Sequence, residues 1–275
     1  MPCKRILFVV DTPEGFPPAV LKKVARVGIG LDAEVEVFDT TFDPTVFDGR
    51  KVHEAIERRH SDLDPLVDVL QGFSARAHAR VRWAHPPRHG IEDEIRDYQP
   101  DLVIIRGRKH THLERMLFSY SDYKLIENAP CPILIIKNER PYADTRVIAA
   151  IDPMHLHDKP AQLDEAILEA AASAAAALKL PLHVYHACAL FPPMAEKARI
   201  RVNLLAEAAG VAEQRVHIEP GDPAVLLPRF VSDTPTDLLV MGAISRSWFR
   251  KALIGYTAEK VLDATDCDLL IVKPS

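Results

Sequence analysis

Short apolar segments alternate with longer segments of helical character along the whole chain. Runs of four or five residues rich in Val, Ile and Leu are typical of strands that are buried on both faces of a parallel sheet. Four further runs alternate between apolar and polar residues and predict more exposed strands. The continuous runs are 6–10, 102–105, 133–136, 147–151, 238–241 and 269–272, and the half-alternating runs are 33–38, 81–84, 182–187 and 215–218.

Helical segments lie between these strands. Pro17 is suited to a helical first turn, Pro181 forces a helix to end before it, and Gly210 is a typical residue after a helix. The segment 45–80 predicts either one long helix or two short ones. The other predicted helices are 17–27, 91–98, 120–128, 162–180, 195–209, 224–231 and 257–264. This regular alternation predicts an α/β fold with doubly wound parallel sheets.

The sequence repeats itself. Residues 101–137 align without a gap with residues 237–273, and nine of the 37 positions are identical. The segment from Arg5 to Asp11 likewise matches the segment from Arg146 to Asp152. Each half therefore opens with a buried strand that ends in Asp and closes with an apolar strand followed by Lys. We expect two copies of one fold, at 1–140 and 141–275, with a polar junction between them.

Composition excludes several classes of protein. The chain has 275 residues, with 34 Lys plus Arg against 39 Asp plus Glu and a net charge of −5, so we expect no general nucleic-acid binding. No apolar run approaches the roughly 20 residues of a membrane span, and the first residues lack a secretory pattern. The four cysteines are scattered and form no CxxC pair. These features predict a cytoplasmic protein without a membrane partner.

The loop after Met241 is the strongest candidate for ligand binding. It contains Gly242 and Ser245, then nine residues, then Gly255 and Thr257. A glycine at a strand end permits close approach to the backbone, and the start of the following helix favours an anion such as phosphate. The alternative interpretation is a glycine in a tight strand-to-helix turn, with Thr257 as the helix N-cap.

Two aspartates follow the first strand of each half. Asp11 and Asp152 would lie at the carboxyl edge of the sheet, where ligands of such folds usually bind. A carboxylate there can accept hydrogen bonds from ribose hydroxyls or bind a cation. The alternative is an aspartate that caps or turns the following loop.

Together these features resemble the universal stress protein family in its tandem, two-domain bacterial form. The resemblance covers nearly the whole chain and rests on segments 147–152, 221–223, 237–242, 255–259 and 267–273. It implies two five-stranded parallel sheets of the adenine-nucleotide alpha-hydrolase-like kind. It also implies that strands 133–136 and 269–272 pack together, so that the halves form an intramolecular pseudo-dimer. The second half matches the family well, whereas the first is a diverged copy.

Nucleotide-binding members of that family carry the motif Gly-x2-Gly-x9-Gly-Ser/Thr. Gly242 and Gly255 fit its first and third glycines, whereas Ser245 replaces the second glycine and Tyr256 the final Ser/Thr. Both replacements add bulk where phosphate would bind, and they count against ATP. The resemblance nevertheless implies ATP or another adenine nucleotide as the ligand, because further positions match.

The resemblance assigns two more residues to that site. Asp152 matches the aspartate near the ribose and adenine, and Ala187 matches the strand-end position whose backbone contacts the adenine. The implied cofactor-binding set is therefore Asp152, Ala187, Gly242, Ser245, Gly255 and Thr257.

The first half has lost the motif. Arg106, Lys109, Ser119 and Tyr120 occupy its positions, so we expect no ordinary ATP site there. Arg106, Arg108 and Lys109 crowd one strand end, where they form either a site for another anion or a solvated basic turn.

The remaining candidate residues are histidines. Of 12 in the chain, six fall in predicted loops: His85, His89, His110, His112, His155 and His157. Two of the pairs have a His-x-His spacing that suits a metal, but without Cys or a His-Glu-x-x-His helix we expect exposed loop histidines and no metal.

The sequence contains no nucleophile elbow and no Walker loop, so we expect no dedicated catalysis. Three hypotheses follow. The first is a stress-response module that binds a ligand without turnover. The second is an interaction scaffold with a decayed nucleotide site, or a binder of a non-nucleotide ligand. The third is a weak ATPase. The expected partners are unnamed proteins, a small-molecule ligand and a second tandem chain in a homodimer.

Overall fold

The computed structural model describes residues 3–10, 16–107, 124–126, 128–142, 145–153, 161–188, 195–242 and 256–273. These residues form ten strands and seven α-helices. The strands are β1 Arg5–Val9, β2 Glu34–Thr41, β3 Arg76–Trp83, β4 Leu102–Arg106, β5 Ile133–Ile136, β6 Val147–Ala150, β7 Leu182–Cys188, β8 Val216–Pro220, β9 Leu238–Gly242 and β10 Asp268–Val272. The helices are α1 Pro18–Gly30, α2 Gly49–Gly72, α3 Pro87–Tyr98, α4 Ala161–Leu178, α5 Ala195–Ala209, α6 Pro223–Asp233 and α7 Tyr256–Ala264.

All ten strands belong to one sheet, in the order β3-β2-β1-β4-β5-β10-β9-β6-β7-β8. Within each half the pairing is parallel, and the strand order of the first half recurs in the second. The halves meet where β5 pairs antiparallel with β10, with Leu134 opposite Leu270. The predicted doubly wound fold and the predicted pairing of the last strands are both confirmed.

Helices cover both faces of this sheet. One apolar layer holds residues of α1, α2, α4 and α5, and the other holds residues of α3, α6, α7 and the helical residues Leu125 and Ile126. Every residue of β5 and β10 is buried. The most apolar strands therefore lie in the middle of the sheet, where burial of apolar surface stabilises both halves at once.

The lysine that ends each half reaches across the junction between the halves. The ammonium group of Lys137 donates hydrogen bonds to the carbonyl oxygens of Leu262 and Thr265, around the end of α7. Lys273 donates in the same way to the carbonyl of Ala129, at 2.7 Å. Because the last carbonyls of a helix carry partial negative charge, a cation there is stabilising. The repeated strand-Lys pattern is thus a contact between the halves.

A buried charge cluster fills one side of the same junction. Lys23 is 3% exposed and its ammonium lies 2.8 Å from a carboxylate oxygen of Asp268, which is fully buried. The ammonium also contacts Asn138 and lies 4.9 Å from the centre of the Tyr142 ring. The backbone N–H of Lys137 donates to Asp268 at 2.9 Å, and burial lowers the pKa of the Lys137 ammonium to about 8.

The last residues of the segment 45–80 form a strand, although the sequence predicts a helix there. The segment forms a single helix, α2, but residues 76–80 belong to strand β3 and not to a helix. The predicted strand 81–84 therefore covers only the end of β3. The cause is position, because β3 lies at the edge of the sheet and most of its side chains are half exposed. Such a strand needs no apolar run.

A search of the described helices for a segment long and apolar enough to cross a membrane finds none.

Candidate functional site

The strand order of the second half reverses between β6 and β9. These strands are neighbours in the sheet, with β7 on the other side of β6. Such a reversal leaves a crevice at the carboxyl ends of the strands, because the connections leave towards opposite faces. Asp152 follows β6 there and Gly242 ends β9.

Four of the residues predicted for the site lie around one small cavity in this crevice. Asp152, Ala187, Gly242 and Thr257 line a space of about 40 Å³. Ligand pockets usually measure about 300–1,000 Å³, so this space alone holds no nucleotide. The remaining wall is mostly apolar, from Ala150, Ile151, Tyr185, Pro223, Leu227 and Met241.

Asp152 brings a buried carboxylate to this cavity. The residue is only 7% exposed, and its backbone N–H donates to a carboxylate oxygen of Asp164 at 3.1 Å. Among the described residues, oxygen Oδ2 of Asp152 has no hydrogen-bond partner. A buried polar atom without a partner costs about 1–3 kcal/mol, so the arrangement favours a donor from outside the described protein atoms.

Gly242 is held against the core of the second half. A Cβ atom at this position would lie 2.6 Å from Cδ2 of Leu163, which is fully buried. Real Cβ atoms do not approach other atoms so closely, so a larger residue here would force the buried Leu163 side chain to shift. The sequence suggested two roles for Gly242, phosphate binding or a tight turn. The contact with α4 is a third reason for a glycine at this position.

The first turn of α7 supplies the part of the site suited to an anion. The helix begins at Tyr256, so Thr257 lies in its first turn and its half-buried side chain faces the cavity. The first N–H groups of a helix lack partners within the helix, and the helix dipole adds positive charge there. The acidic residue of this turn, Glu259, is exposed to solvent.

Tyr185 closes the inner wall, and the sequence analysis missed it. The side chain is 1% exposed, its hydroxyl donates to Glu219 at 3.0 Å, and its ring centre lies 4.6 Å from that of Phe230. Because alternate residues of a strand share a face, Tyr185 had to lie on the same face as Ala187. That spacing could have identified it.

Two histidines stack beside Tyr185 at the outer edge of the sheet. Nδ1 of His183 lies 3.0 Å from Nε2 of His217, and the rings are nearly parallel. Burial, followed by the positive charges of Arg146 and of the partner ring, lowers the pKa of His183 to about 4. Burial and Arg146 also lower the pKa of His217. Both rings are therefore neutral near pH 7.

The other predicted site residues lie outside the part of the chain that the structure describes. These are Ser245 and Gly255 of the second half and, in the first half, Asp11, Arg108, Lys109, Ser119 and Tyr120. The side chain of Tyr256 is likewise not described. The predicted roles of these residues stay predictions.

Arg106 shows how far the first half has diverged. It occupies the position of Gly242, and its guanidinium group lies 3.0 Å from Glu139 and over the ring of Phe16. The first half therefore carries a charged side chain where the second half has a glycine.

Of the histidines predicted to lie in loops, His85 and His89 are described and do not converge, and His89 lies in the first turn of α3, not in a loop. His85 stacks on Phe42 with ring centres 4.6 Å apart, while His89 contacts Arg88. His110, His112, His155 and His157 lie outside the described residues. Within the described ranges, no three His, Cys, Asp or Glu residues are placed to hold a metal ion.

Comparison with known proteins supplies the family. The sequence model of the universal stress protein family matches residues 2–137 and matches again at residues 145–273. The chain belongs to the universal stress protein family.

Relatives of this universal stress protein share its full tandem length. It is 23% identical to universal stress protein E of Escherichia coli K12, over 98% of this chain and 94% of that protein. It is 20% identical to a universal stress protein E homolog of Haemophilus influenzae, over 100% and 99% of the two chains. The solved structure of PA1789, a functionally unknown protein from Pseudomonas aeruginosa PAO1, matches with 25% identity and a TM-score of 0.80 over 99% of this chain and 93% of that one.

Proposed function

We propose that this universal stress protein binds an adenine nucleotide in its second half and acts by binding, without dedicated catalysis. The observation that carries the proposal is the buried, unpartnered Oδ2 of Asp152 in a cavity shared with Gly242, Ala187 and Thr257. In this proposal the carboxylate accepts a hydrogen bond from a ribose hydroxyl. The amides of the first turn of α7 and the Thr257 hydroxyl bind phosphate.

The small volume of the cavity makes it the inner end of the proposed site. The resemblance assigns Ser245 and Gly255 to the same ligand, and we propose that these two residues supply further phosphate contacts. The universal stress protein from Archaeoglobus fulgidus has been solved in complex with dAMP.

Members of the family are in general regulatory rather than catalytic. We propose the same for this chain, because no described side chain near Asp152 pairs a nucleophile with a base. The ligand would instead change how the protein meets an unnamed protein partner.

A second candidate function is an interaction scaffold with a decayed site. The cavity of about 40 Å³, walled by Tyr185 and Leu227, favours this alternative. In the first half Arg106 fills the equivalent position. The second candidate predicts no nucleotide binding in either half.

Titration with ATP, ADP and AMP by isothermal calorimetry separates the two candidates. We expect binding in the micromolar range with one site per chain. Asp152→Ala should weaken it about tenfold or more, since a hydrogen bond to a charged group contributes about 1.5–3 kcal/mol. Asp68→Ala, on the exposed face of α2, is the matched control and should bind like the wild type.

The absence of binding by all three nucleotides at millimolar concentration would leave the scaffold. Steady loss of ATP that Asp152→Ala abolishes would contradict binding without turnover and support the weak ATPase instead.

A further inference from the structure

A large space lies between the two halves and shares no lining residue with the cavity of Asp152. It measures about 1090 Å³, and most of its surface is apolar. Side chains of both halves line it, including Val27 of α1, Leu134 of β5, and Leu270 and Val272 of β10. Alanines of α4 complete the wall. The space is partly open, because Glu169 and Ser173 of its wall are exposed to solvent, and a large exposed apolar surface of this kind indicates a binding site.

The space is elongated, because it follows α4 from Ala166 to Leu178. Twelve residue steps of 1.5 Å in an α-helix make this about 18 Å. At one end, Leu163 packs on Gly242. Gly242 pairs in the sheet with Val272, the residue directly before Lys273.

At the other end, Arg26 joins two residues of the wall. Its guanidinium group donates to the carbonyl oxygens of Tyr142 and Leu178. The space is therefore a channel between two identifiable ends, and we call it the interhalf channel.

An internal comparison shows why the channel exists. Helices α1 and α4 both end beside a left-handed residue, Asp32 and Lys179 respectively. Aligning these two residues places Gly30 opposite Ala177, and the two do touch in the structure. The same alignment pairs Lys23 with Ala170.

Lys23 and its partner Asp268 fill one side of the junction. On the other side the equivalent positions are Ala170, from this alignment, and Pro132, from the repeat. Both line the interhalf channel. An ion pair on one side is thus replaced by open space on the other.

The walls determine what can occupy the channel. Alanine, leucine, valine and proline side chains offer few hydrogen bonds, and water stays in a cavity only where it finds polar partners. The charged lining groups are mixed, with the bases Arg96 and Lys273 beside the acids Glu92, Asp101 and Glu169. An occupant therefore needs a long apolar body and a polar end.

We propose that the interhalf channel binds a long acyl chain with a polar head group, with the head at the Lys273 end and the hydrocarbon along α4. Burial of hydrocarbon supplies the affinity, in proportion to the apolar area removed from water. This site is separate from the proposed nucleotide site, and it uses the junction between the halves that neither half has alone.

Binding of the fluorescent fatty acid cis-parinaric acid to the full chain tests the proposal. The wild type should bind it in the micromolar range. Ala170→Phe and Ala174→Phe place a ring inside the channel, so each should weaken binding about tenfold or more. Each should also raise the midpoint of thermal unfolding, because it fills empty space. Ala172→Phe lies on the exposed face of the same helix, does not line the channel and should bind like the wild type.

Competition distinguishes the two sources of such a chain. Displacement of the probe by palmitate indicates a free fatty acid, and displacement by lysophosphatidylglycerol indicates a phospholipid. Asp152→Ala should leave probe binding unchanged, which separates this site from the nucleotide site.

The proposal is overturned if the wild type fails to bind the probe, if neither competitor displaces it, or if both filled variants bind as well as the wild type. Where circular dichroism shows that a phenylalanine variant does not fold, Ala170→Leu and Ala174→Val give the same comparison with smaller side chains.

Discussion

Any side chain at position 242 would have to occupy space that Leu163 already fills. The two residues are 79 positions apart in the sequence, and the contact forms only when α4 packs on the end of β9. Local residues could therefore suggest a turn or a phosphate contact as the role of Gly242. They could not predict its contact with Leu163. Asp152 is the opposite case, because its place at the end of a strand follows from the repeat alone, while its unpartnered oxygen depends on the surrounding fold.

Gly242→Ala should lower the free energy of unfolding by about 1–3 kcal/mol, as is usual for overpacking in a well-packed core. Urea denaturation measures the change. In a Leu163→Ala background the same substitution should cost almost nothing, because the colliding side chain is gone.

Gly49→Ala is the control, since nothing lies within 4 Å of a Cβ atom at that position. Equal effects of the two alanine substitutions would show that the contact with Leu163 is unimportant.

Among the elements, the middle strands and the edge strand β8, predicted at 215–218 and found at Val216–Pro220, were predictable, whereas the edge strand β3 was not. The apolar runs gave β5 and β9 to within one residue, because both faces of these strands are buried. Gly210, with its left-handed backbone, follows the end of α5 as expected. The edge strand β3 lacks this pattern, since solvent takes the place of a neighbour.

The last residues of α1 and α2 allow a matched test of how closely the two halves pack. Helix propensity alone predicts that Gly→Ala stabilises by up to about 1 kcal/mol. At Gly30 the new Cβ would collide with the backbone carbonyl of Ala177, whereas at Gly72 it would meet open space.

Gly30→Ala should therefore destabilise the chain by about 2 kcal/mol or more, and Gly72→Ala should be neutral or stabilising. Thermal unfolding of the two variants checks this. A stabilised Gly30→Ala variant would mean that α1 and α4 can separate without cost.

The stacked histidines at the edge of the second half predict a pH dependence. Unfolded histidine takes up a proton near pH 6.5, whereas folded His183 resists protonation down to about pH 4. The unfolded state therefore binds more protons in this interval, and stability is lost as the pH falls through it.

The loss should be roughly 1 kcal/mol, because half-exposed rings are partly screened by solvent. Urea midpoints at about pH 7.5, above that interval, and at about pH 5, within it, measure the loss. His183→Gln should flatten the difference between the two midpoints, and an unchanged difference would assign the pH dependence to other groups.

For the whole molecule, the repeat was the informative part of the sequence. It predicted two copies of one fold, and the family resemblance implied that their last strands pair, as β5 and β10 do. It could not predict the buried cluster at the junction, since Lys23 and Asp268 are 245 residues apart and have no counterparts in the other half. For the same reason the sequence does not predict the interhalf channel. It indicates only that α4 is an alanine-rich helix.

Asp268→Ala should reduce the free energy of unfolding by about 3–5 kcal/mol, because it leaves the ammonium of Lys23 buried without its partner. Guanidinium unfolding measures the loss and also shows whether the halves still unfold together. Asp266→Ala, at an exposed position two residues away, should have little effect.

The double variant Lys23→Met with Asp268→Leu should recover most of the loss, since apolar side chains of similar volume often replace a buried ion pair without cost. Failure to recover would mean that the charges do more than fill the junction.

The antiparallel pairing of β5 with β10 within one polypeptide has an evolutionary consequence. In a homodimer of single-domain chains, every mutation at the interface appears twice, once on each side of the axis. Here a mutation at Lys23 leaves Ala170 untouched. Selection can therefore close one side of the interface and keep the other open. In a symmetric homodimer both sides would have to change together.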